Sequence, residues 1–135
     1  MRSMSLLALS VVISACASEN YEVSQEVRKA EWEAKNLYPH NYRAEIIAYL
    51  RTYLNDPTGL KDAAISEPVR KPMGLGDRYV SCVRYRAKGG SSETAPSREH
   101  LVVFVQGKLD AFKDGKEQCS GVSYVPFPEL EALTR

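Results

Sequence analysis

The strongest constraint in this sequence is a change of hydrophobic periodicity near Gly59. Before that glycine, apolar residues recur every three or four positions, which is the spacing of one face of an α-helix. After it, apolar and polar residues alternate along several short runs, as they do in β-strands with two different faces. A helical segment followed by successive strands predicts an α+β layer, because helix and sheet bury each other's apolar faces.

The helix before Gly59 is predicted to begin at Pro39, a residue type whose fixed φ suits a first helical position. It is predicted to end before Pro57, because proline disfavours helical backbone in the preceding residue. One face of this helix is rich in tyrosine. We interpret that face as core, with hydroxyls reaching the rim, rather than as a binding surface. The face comprises Tyr42, Ile46, Tyr49, Leu50 and Tyr53.

Four strands are predicted after the helix, at residues 63–69, 79–87, 101–105 and 108–112. Pro68 interrupts the first and suits an edge position. The alternation over residues 79–87 predicts a half-exposed strand. The predicted fold is therefore α+β, with one long amphipathic helix packed on a small antiparallel β-meander of three to five strands.

Length and charge exclude several classes of protein. The chain has 135 residues, the size of one domain, which argues against a two-domain enzyme. Its 18 basic and 17 acidic side chains nearly balance, so bulk charge does not favour nucleic acid as a partner. The hydrophobic fraction of 44% is typical of a folded chain rather than a disordered one.

The amino terminus has the pattern of a secretory signal. Residues 5–15 are apolar or small, and Arg2 is the only charged side chain before Glu19. This run is too short for a transmembrane helix, which needs roughly 20 apolar residues, and it has the length of a signal-peptide apolar region. We therefore predict that residues 1–15 are a signal peptide that is removed.

Ile13-Ser14-Ala15-Cys16 resembles the lipobox of bacterial lipoproteins. The resemblance implies that the Cys16 thiol receives diacylglycerol and that its new α-amine receives a further acyl chain such as palmitate. No other cofactor is expected, and the first partner is the membrane itself. Ala17 stands where the enterobacterial sorting pattern would use Asp to retain a lipoprotein in the inner membrane. The resemblance thus favours the outer membrane, with the domain facing the periplasm, over the inner membrane.

The predicted organisation is a signal peptide over residues 1–15, a lipidated and partly helical tether over 16–38, and an α+β domain over 39–135. The tether carries a thin apolar stripe at helical spacing, and Trp32 is expected to rest against the domain. The alternative is a short helix lying on the domain or on a partner. The stripe comprises Val23, Val27, Ala30, Ala34 and Leu37.

Cys82 and Cys119 are predicted to form a disulfide, because an even pair of cysteines in an oxidising periplasm normally pairs. No family signature supports Cys82 as a nucleophile beside His100. Neither His100 nor His40 lies at metal-ligand spacing from another His or Cys. We therefore predict no catalytic residue and no metal, and we expect that the protein is not an enzyme.

The middle of the chain is basic, since residues 61–92 contain seven Lys or Arg against three acidic residues. Arg84 and Arg86 share one predicted sheet face, and Arg70 and Lys71 lie on a neighbouring strand. These four residues are a candidate patch for an anionic partner, and a solvated face is the other interpretation. The nearby Gly74-Leu75-Gly76 is interpreted as a turn, because it lacks the third glycine of a dinucleotide site.

The mature chain also resembles small Gram-negative envelope lipoproteins, in which a helix ending in Asp-Pro leads into a short β-meander. Leu54-Asn55-Asp56-Pro57 and residues 79–88 carry this resemblance. The expected function is that of a membrane-anchored envelope lipoprotein with a structural or protein-interaction role, partnered by another envelope protein and not by nucleic acid. The alternative is a small periplasmic inhibitor or ligand-binding module that uses the basic sheet face or the 88–98 loop.

Overall fold

The computed structural model describes residues 16–88 and 96–135 of the chain. The predicted signal peptide, residues 1–15, lies outside the described residues, and so do residues 89–95 of the predicted 88–98 loop. The elements in chain order are α1 (Cys16–Ala34), α2 (Tyr42–Tyr53), β1 (Lys61–Ile65), β2 (Val69–Pro72), β3 (Asp77–Arg86), β4 (Arg98–Val105), β5 (Lys108–Asp114), β6 (Val125–Pro126) and α3 (Pro128–Glu131).

The strands form one six-stranded antiparallel sheet in the order β5-β4-β3-β1-β6, with β2 also paired to β3. The ten-residue strand β3 is the centre of this sheet. It pairs with β4 on one side. On its other side β2 pairs with its first half and β1 with its second half, so two short strands share one edge of β3.

The prediction of one long helix packed on three to five strands is wrong. The sheet has six strands, and α2, the helix that packs on it, has only 12 residues. The predicted strand over residues 63–69 is split into β1 and β2 at Ser66 and Pro68. At Ser66 the N–H still donates to the Cys82 carbonyl at 2.8 Å, but the Cys82 N–H donates to the Ser66 hydroxyl at 2.7 Å instead of to its carbonyl. Pro68 has no N–H to continue the pairing.

The helix α2 begins at Tyr42, three residues later than predicted. The chain just before it is extended along the sheet instead. The Asn36 side-chain oxygen accepts from the Tyr79 N–H at 3.2 Å, and the Gln106 N–H donates to the Lys35 carbonyl at 2.7 Å. These contacts hold residues 35–39 outside a helical path, which shortens the helix at its amino end.

The first core lies between the sheet and the helices α2 and α3. Ile46 and Leu50 of α2 are fully buried there, as is Leu130 of α3. Tyr53 is 54% exposed at the rim, so the tyrosine face of α2 is partly core and partly edge. This packing fixes α2 across one face of the sheet.

A second core lies on the opposite face of the sheet, around Val80 and Cys82. The prediction of a half-exposed β3 is therefore wrong, because six of its ten residues are buried. The chain after β5 covers this face of the sheet, and Cys119 of that segment is bonded to Cys82 of β3. The Cys82 and Cys119 sulfurs are 2.05 Å apart, which confirms the predicted disulfide.

Candidate functional site

The helix α1 leads from Cys16, its first residue, to the domain. Nineteen residues of helix span about 28 Å at 1.5 Å per residue. Side chains over residues 22–31 are exposed except for the half-buried Gln25. Val23 and Val27, the most apolar of them, are 60% and 51% exposed. Over residues 22–27 the helix is therefore largely surrounded by solvent, and it runs between Cys16 and the carboxyl end of α1 that contacts the sheet.

Trp32 fixes the carboxyl end of α1 on strand β3. Its indole Nε1–H donates to the Asp77 carbonyl at 2.8 Å. The Arg78 guanidinium lies 3.6 Å from the centre of the indole ring and donates to the Trp32 carbonyl at 2.7 Å. Trp32 therefore rests against the domain through three separate interactions with two consecutive residues of β3. We call this contact the Trp32 junction.

Gly74 and Gly76 make room for the Trp32 ring. A Cβ atom on Gly74 would lie 3.2 Å from the ring, and one on Gly76 would lie 3.1 Å from it. These distances are shorter than ordinary carbon–carbon contacts of about 3.5–4.0 Å. The Gly-Leu-Gly sequence is thus a turn that also receives an aromatic side chain.

A second contact ties α1 to strand β2. The Arg70 guanidinium bonds the Glu33 carboxylate at 2.8 Å and the Asp77 carboxylate at 3.3 Å. All three side chains are partly exposed, so this network contributes orientation more than stability. Together with Trp32 it holds the last turn of α1 on the domain.

The structure does not bring the four residues of the candidate basic patch together. Arg70 lies opposite Tyr79 in the sheet, which puts its side chain on the other face from Arg84. Lys71 shares the face of Arg84 but lies opposite Arg78, about 20 Å away along β3. Each of the four has its own local contact: Arg70 with Glu33 and Asp77, Lys71 with the Gln118 carbonyl, Arg86 with Asp62, and Arg84 with the ring of Tyr124.

One cavity of about 500 Å³ lies beside Arg84, where strand β4 begins. The guanidinium of Arg84 stacks on the Tyr124 ring at 4.2 Å and is exposed. Burial and the nearby Glu99 carboxylate raise the pKa of Tyr124 to about 12, so its phenol stays neutral. The charged lining mixes both signs and comprises Arg84, Arg98, Glu99, Asp114 and Lys116.

His100 also lines that cavity, but its ring belongs to an aromatic row on the α2 face of the sheet. The imidazole stacks on Phe112 at 4.5 Å and on Tyr85 at 5.5 Å between ring centres. Its Nε2 is buried without a hydrogen-bond partner among the described residues, and burial lowers its pKa. The imidazole is thus packed between two aromatic rings on this face of the sheet.

The side chains that the structure describes were compared with the requirements of a metal site and of a cysteine nucleophile. Over residues 22–88 and 96–135, no group of three or more His, Cys, Asp or Glu side chains is placed to hold a metal ion. Cys82 and Cys119 are joined to each other, so neither offers a free thiolate. None of the helices in that same part of the chain is both long enough and apolar enough to cross a membrane.

The partners of Trp32 could not be predicted from the sequence. Trp32 is the only tryptophan and belongs to no motif, and Arg78 is one of seven basic residues over residues 61–92. The only local signal of this contact was the pair Gly74 and Gly76, directly before the longest alternating run.

Comparison of the chain with protein-family models, curated proteins and solved structures found no match.

Proposed function

We propose that this chain is an envelope lipoprotein that carries lipid on Cys16 and presents its α+β domain to a protein partner in the periplasm. The observation that carries the proposal is the path from Cys16 to the Trp32 junction. A lipid on Cys16 would anchor one end of α1, and the junction fixes the other end on the sheet. The helix would then act as a spacer that sets the distance between membrane and domain.

The disulfide supports this proposal in two ways. A disulfide between Cys82 and Cys119 suits an oxidising compartment such as the periplasm. It also leaves neither cysteine free as a nucleophile, which supports a structural or interaction role rather than catalysis.

Several acyl chains on a single residue hold a protein firmly at a membrane, whereas one chain holds it only marginally. The proposed location is the outer membrane, because Ala17 stands where the inner-membrane sorting pattern would have Asp.

Lipidation is tested by Cys16→Ser in the full chain, expressed in a Gram-negative host. The wild-type chain should fractionate with the outer membrane and incorporate labelled palmitate, and Cys16→Ser should lose both properties. The matched control is Cys82→Ala combined with Cys119→Ala, which removes the other cysteines and should keep the label. Palmitate on Cys16→Ser, or none on the wild-type chain, would overturn the proposal.

The spacer role is tested by changing the length of α1. Deletion of residues 20–26 removes two helical turns, or about 10 Å, and keeps the helix face nearly in phase. We expect cross-linking to an envelope protein to be lost. Replacing the same seven residues by alanine keeps the length, so cross-linking should persist. Loss of cross-linking in the alanine variant alone would show that the side chains, and not the length, matter.

A second candidate function is a ligand-binding module, because the cavity beside Arg84 has a volume typical of small-molecule sites. Its mixed charge suits a ligand with both an acidic and a polar group. A soluble-ligand screen by thermal shift, repeated with Arg84→Gln, tests this candidate. A ligand that stabilises the wild-type protein and not the variant would favour the module over the interaction role.

A further inference from the structure

A small cavity lies at the Trp32 junction, between α1 and the turn before β3. Its volume is about 180 Å³. Three of its lining side chains are cations and one is an anion, which gives a net charge of +2. The lining residues are Arg28, Glu31, Trp32, Lys35, Leu75 and Arg78. A concave site with this charge attracts anions.

The cation at the base of this cavity is buried without a direct counter-charge. Arg78 is only 5% exposed, and no carboxylate of the described residues lies within 4.0 Å of it. Two carboxylates act on Arg78 from farther away: that of Asp110, and that of Glu33, which is already bound to Arg70. The Trp32 ring and the two carbonyls that Arg78 contacts offset part of the cost of burying its charge, and an anion beside Arg78 would offset more of it.

Arg78 also keeps hydrogen-bond donors for a ligand. Its hydrogen bonds within the described residues leave from Nη1, to the carbonyls of Trp32 and Asp77. A guanidinium has five N–H donors in a planar fork that matches the oxygens of a carboxylate or phosphate. The Nε and Nη2 donors are therefore not used by those two contacts.

The remaining cations come from α1 and from the residue just beyond its end. Arg28, Trp32 and Lys35 are spaced by four and three residues, which places them along one side of the helix. Arg28 and Lys35 are exposed, so their charged ends are free to turn toward an anion beside Arg78. The cation set thus spans two elements, α1 and β3.

We propose that this cavity binds a phosphate group through Arg28, Lys35 and Arg78, and that the bound anion strengthens the attachment of α1 to the domain. The cavity is smaller than the 300 Å³ or more that drug-sized ligands need, which favours a single tetrahedral anion over a larger molecule. The site does not depend on lipidation of Cys16, since the residues that line it do not include Cys16.

The test uses the full chain in a non-ionic detergent and follows the fluorescence of Trp32, which is the only tryptophan. Inorganic phosphate is titrated against sodium chloride at matched ionic strength. We expect a saturable change with phosphate and none with chloride. Glycerol 3-phosphate is titrated in parallel. Tighter binding of glycerol 3-phosphate would indicate an esterified phosphate such as a lipid headgroup, and tighter binding of inorganic phosphate would indicate the free ion.

The decisive variant combines Arg28→Gln with Lys35→Gln, because both side chains are exposed and the fold does not need them. Its phosphate affinity should fall about tenfold or more, as expected for losing two charge-assisted contacts. The matched control is Lys29→Gln with Lys113→Gln, which removes the same charge from exposed positions elsewhere and should change the affinity less than about twofold. A wild-type signal that does not saturate, or equal affinities in the two variants, would overturn the proposal.

Discussion

The indole ring of Trp32 covers the guanidinium of Arg78, with 3.6 Å between the guanidinium carbon and the ring centre. This pair joins a solvent-exposed helix to the central strand of the sheet. It also explains how Arg78 can be buried, since a cation over an aromatic face is stabilised by the ring's negative potential. The one tryptophan of the chain is thus the structural link between α1 and the domain.

Trp32→Ala should detach α1 and lower the free energy of unfolding by about 2–4 kcal/mol, because it removes a large packed side chain together with its stacking on Arg78. Urea unfolding measures the loss. Amide hydrogen exchange over residues 22–31 should accelerate, since an isolated helix of this length is marginal in water.

Trp32→Phe is the matched control, because it keeps an aromatic ring but loses the Nε1–H bond to Asp77 and the part of the indole that packs beside Gly74. It should cost about 1–2 kcal/mol, which is less than the alanine variant. Unchanged hydrogen exchange in α1 of the alanine variant would contradict the role given to the junction.

Gly74→Ala should destabilise the protein by two separable effects. The residue has φ of +96°, which strains an L side chain, and the new Cβ would crowd the Trp32 ring at 3.2 Å. Together these should cost about 1–3 kcal/mol, measured by urea unfolding. Gly121→Ala separates the two effects, because Gly121 has φ of +73° and open space around it.

The difference between Gly74→Ala and Gly121→Ala therefore measures crowding against Trp32. In a Trp32→Ala background that difference should vanish, since the ring is gone. If the difference stays the same in both backgrounds, the turn is not held by the tryptophan.

The helix and strand segments were predictable where the local pattern decides the structure. The buried face of α2, with Ile46 and Leu50, follows directly from spacing. The broken strand β1–β2 was not predictable as two strands, because the break depends on a hydrogen bond from Cys82, 16 residues away along the chain from Ser66. Likewise, the exposure of β3 depends on which distant loop covers it, and a strand's own sequence does not show that.

Ser66→Ala should weaken the sheet at the β1–β2 break. It removes the hydroxyl that accepts the buried Cys82 N–H at 2.7 Å and leaves that donor without its partner. An unsatisfied buried donor costs about 1–3 kcal/mol, which a shift of the urea midpoint would show. Ser120→Ala, at an exposed position, should be neutral. Equal effects of the two substitutions would contradict this assignment.

Reduction of the disulfide should lower stability on the β3 face covered by Cys119. The bond closes a loop between residues 37 positions apart, and removing it should cost about 3–4 kcal/mol through the entropy of the unfolded chain. Urea unfolding with and without a thiol reductant measures this cost. Cys82→Ala with Cys119→Ala should unfold at the lower midpoint and respond no further to reductant. A wild-type midpoint insensitive to full reduction would contradict the prediction.

His100 should make the stability of the protein depend on pH in mildly acidic solution. Burial lowers the pKa of His100 from its ordinary value of 6.5; the Asp114 carboxylate partly opposes this shift, and the positive charge of Arg98 adds to it. The unfolded chain therefore takes up a proton as the pH falls through 6.5, while the folded protein resists it. The contribution of neutral His100 to stability is therefore fully present above pH 6.5, and it decreases as the pH falls toward the pKa of His100 in the folded protein.

The measurement is the urea midpoint between neutral pH and about pH 5, with a slope of at most about 1.4 kcal/mol per pH unit for one proton. His100→Phe keeps a ring between Phe112 and Tyr85 and cannot take up a proton, so its stability should vary less over this range. A slope that persists unchanged in His100→Phe would contradict the prediction.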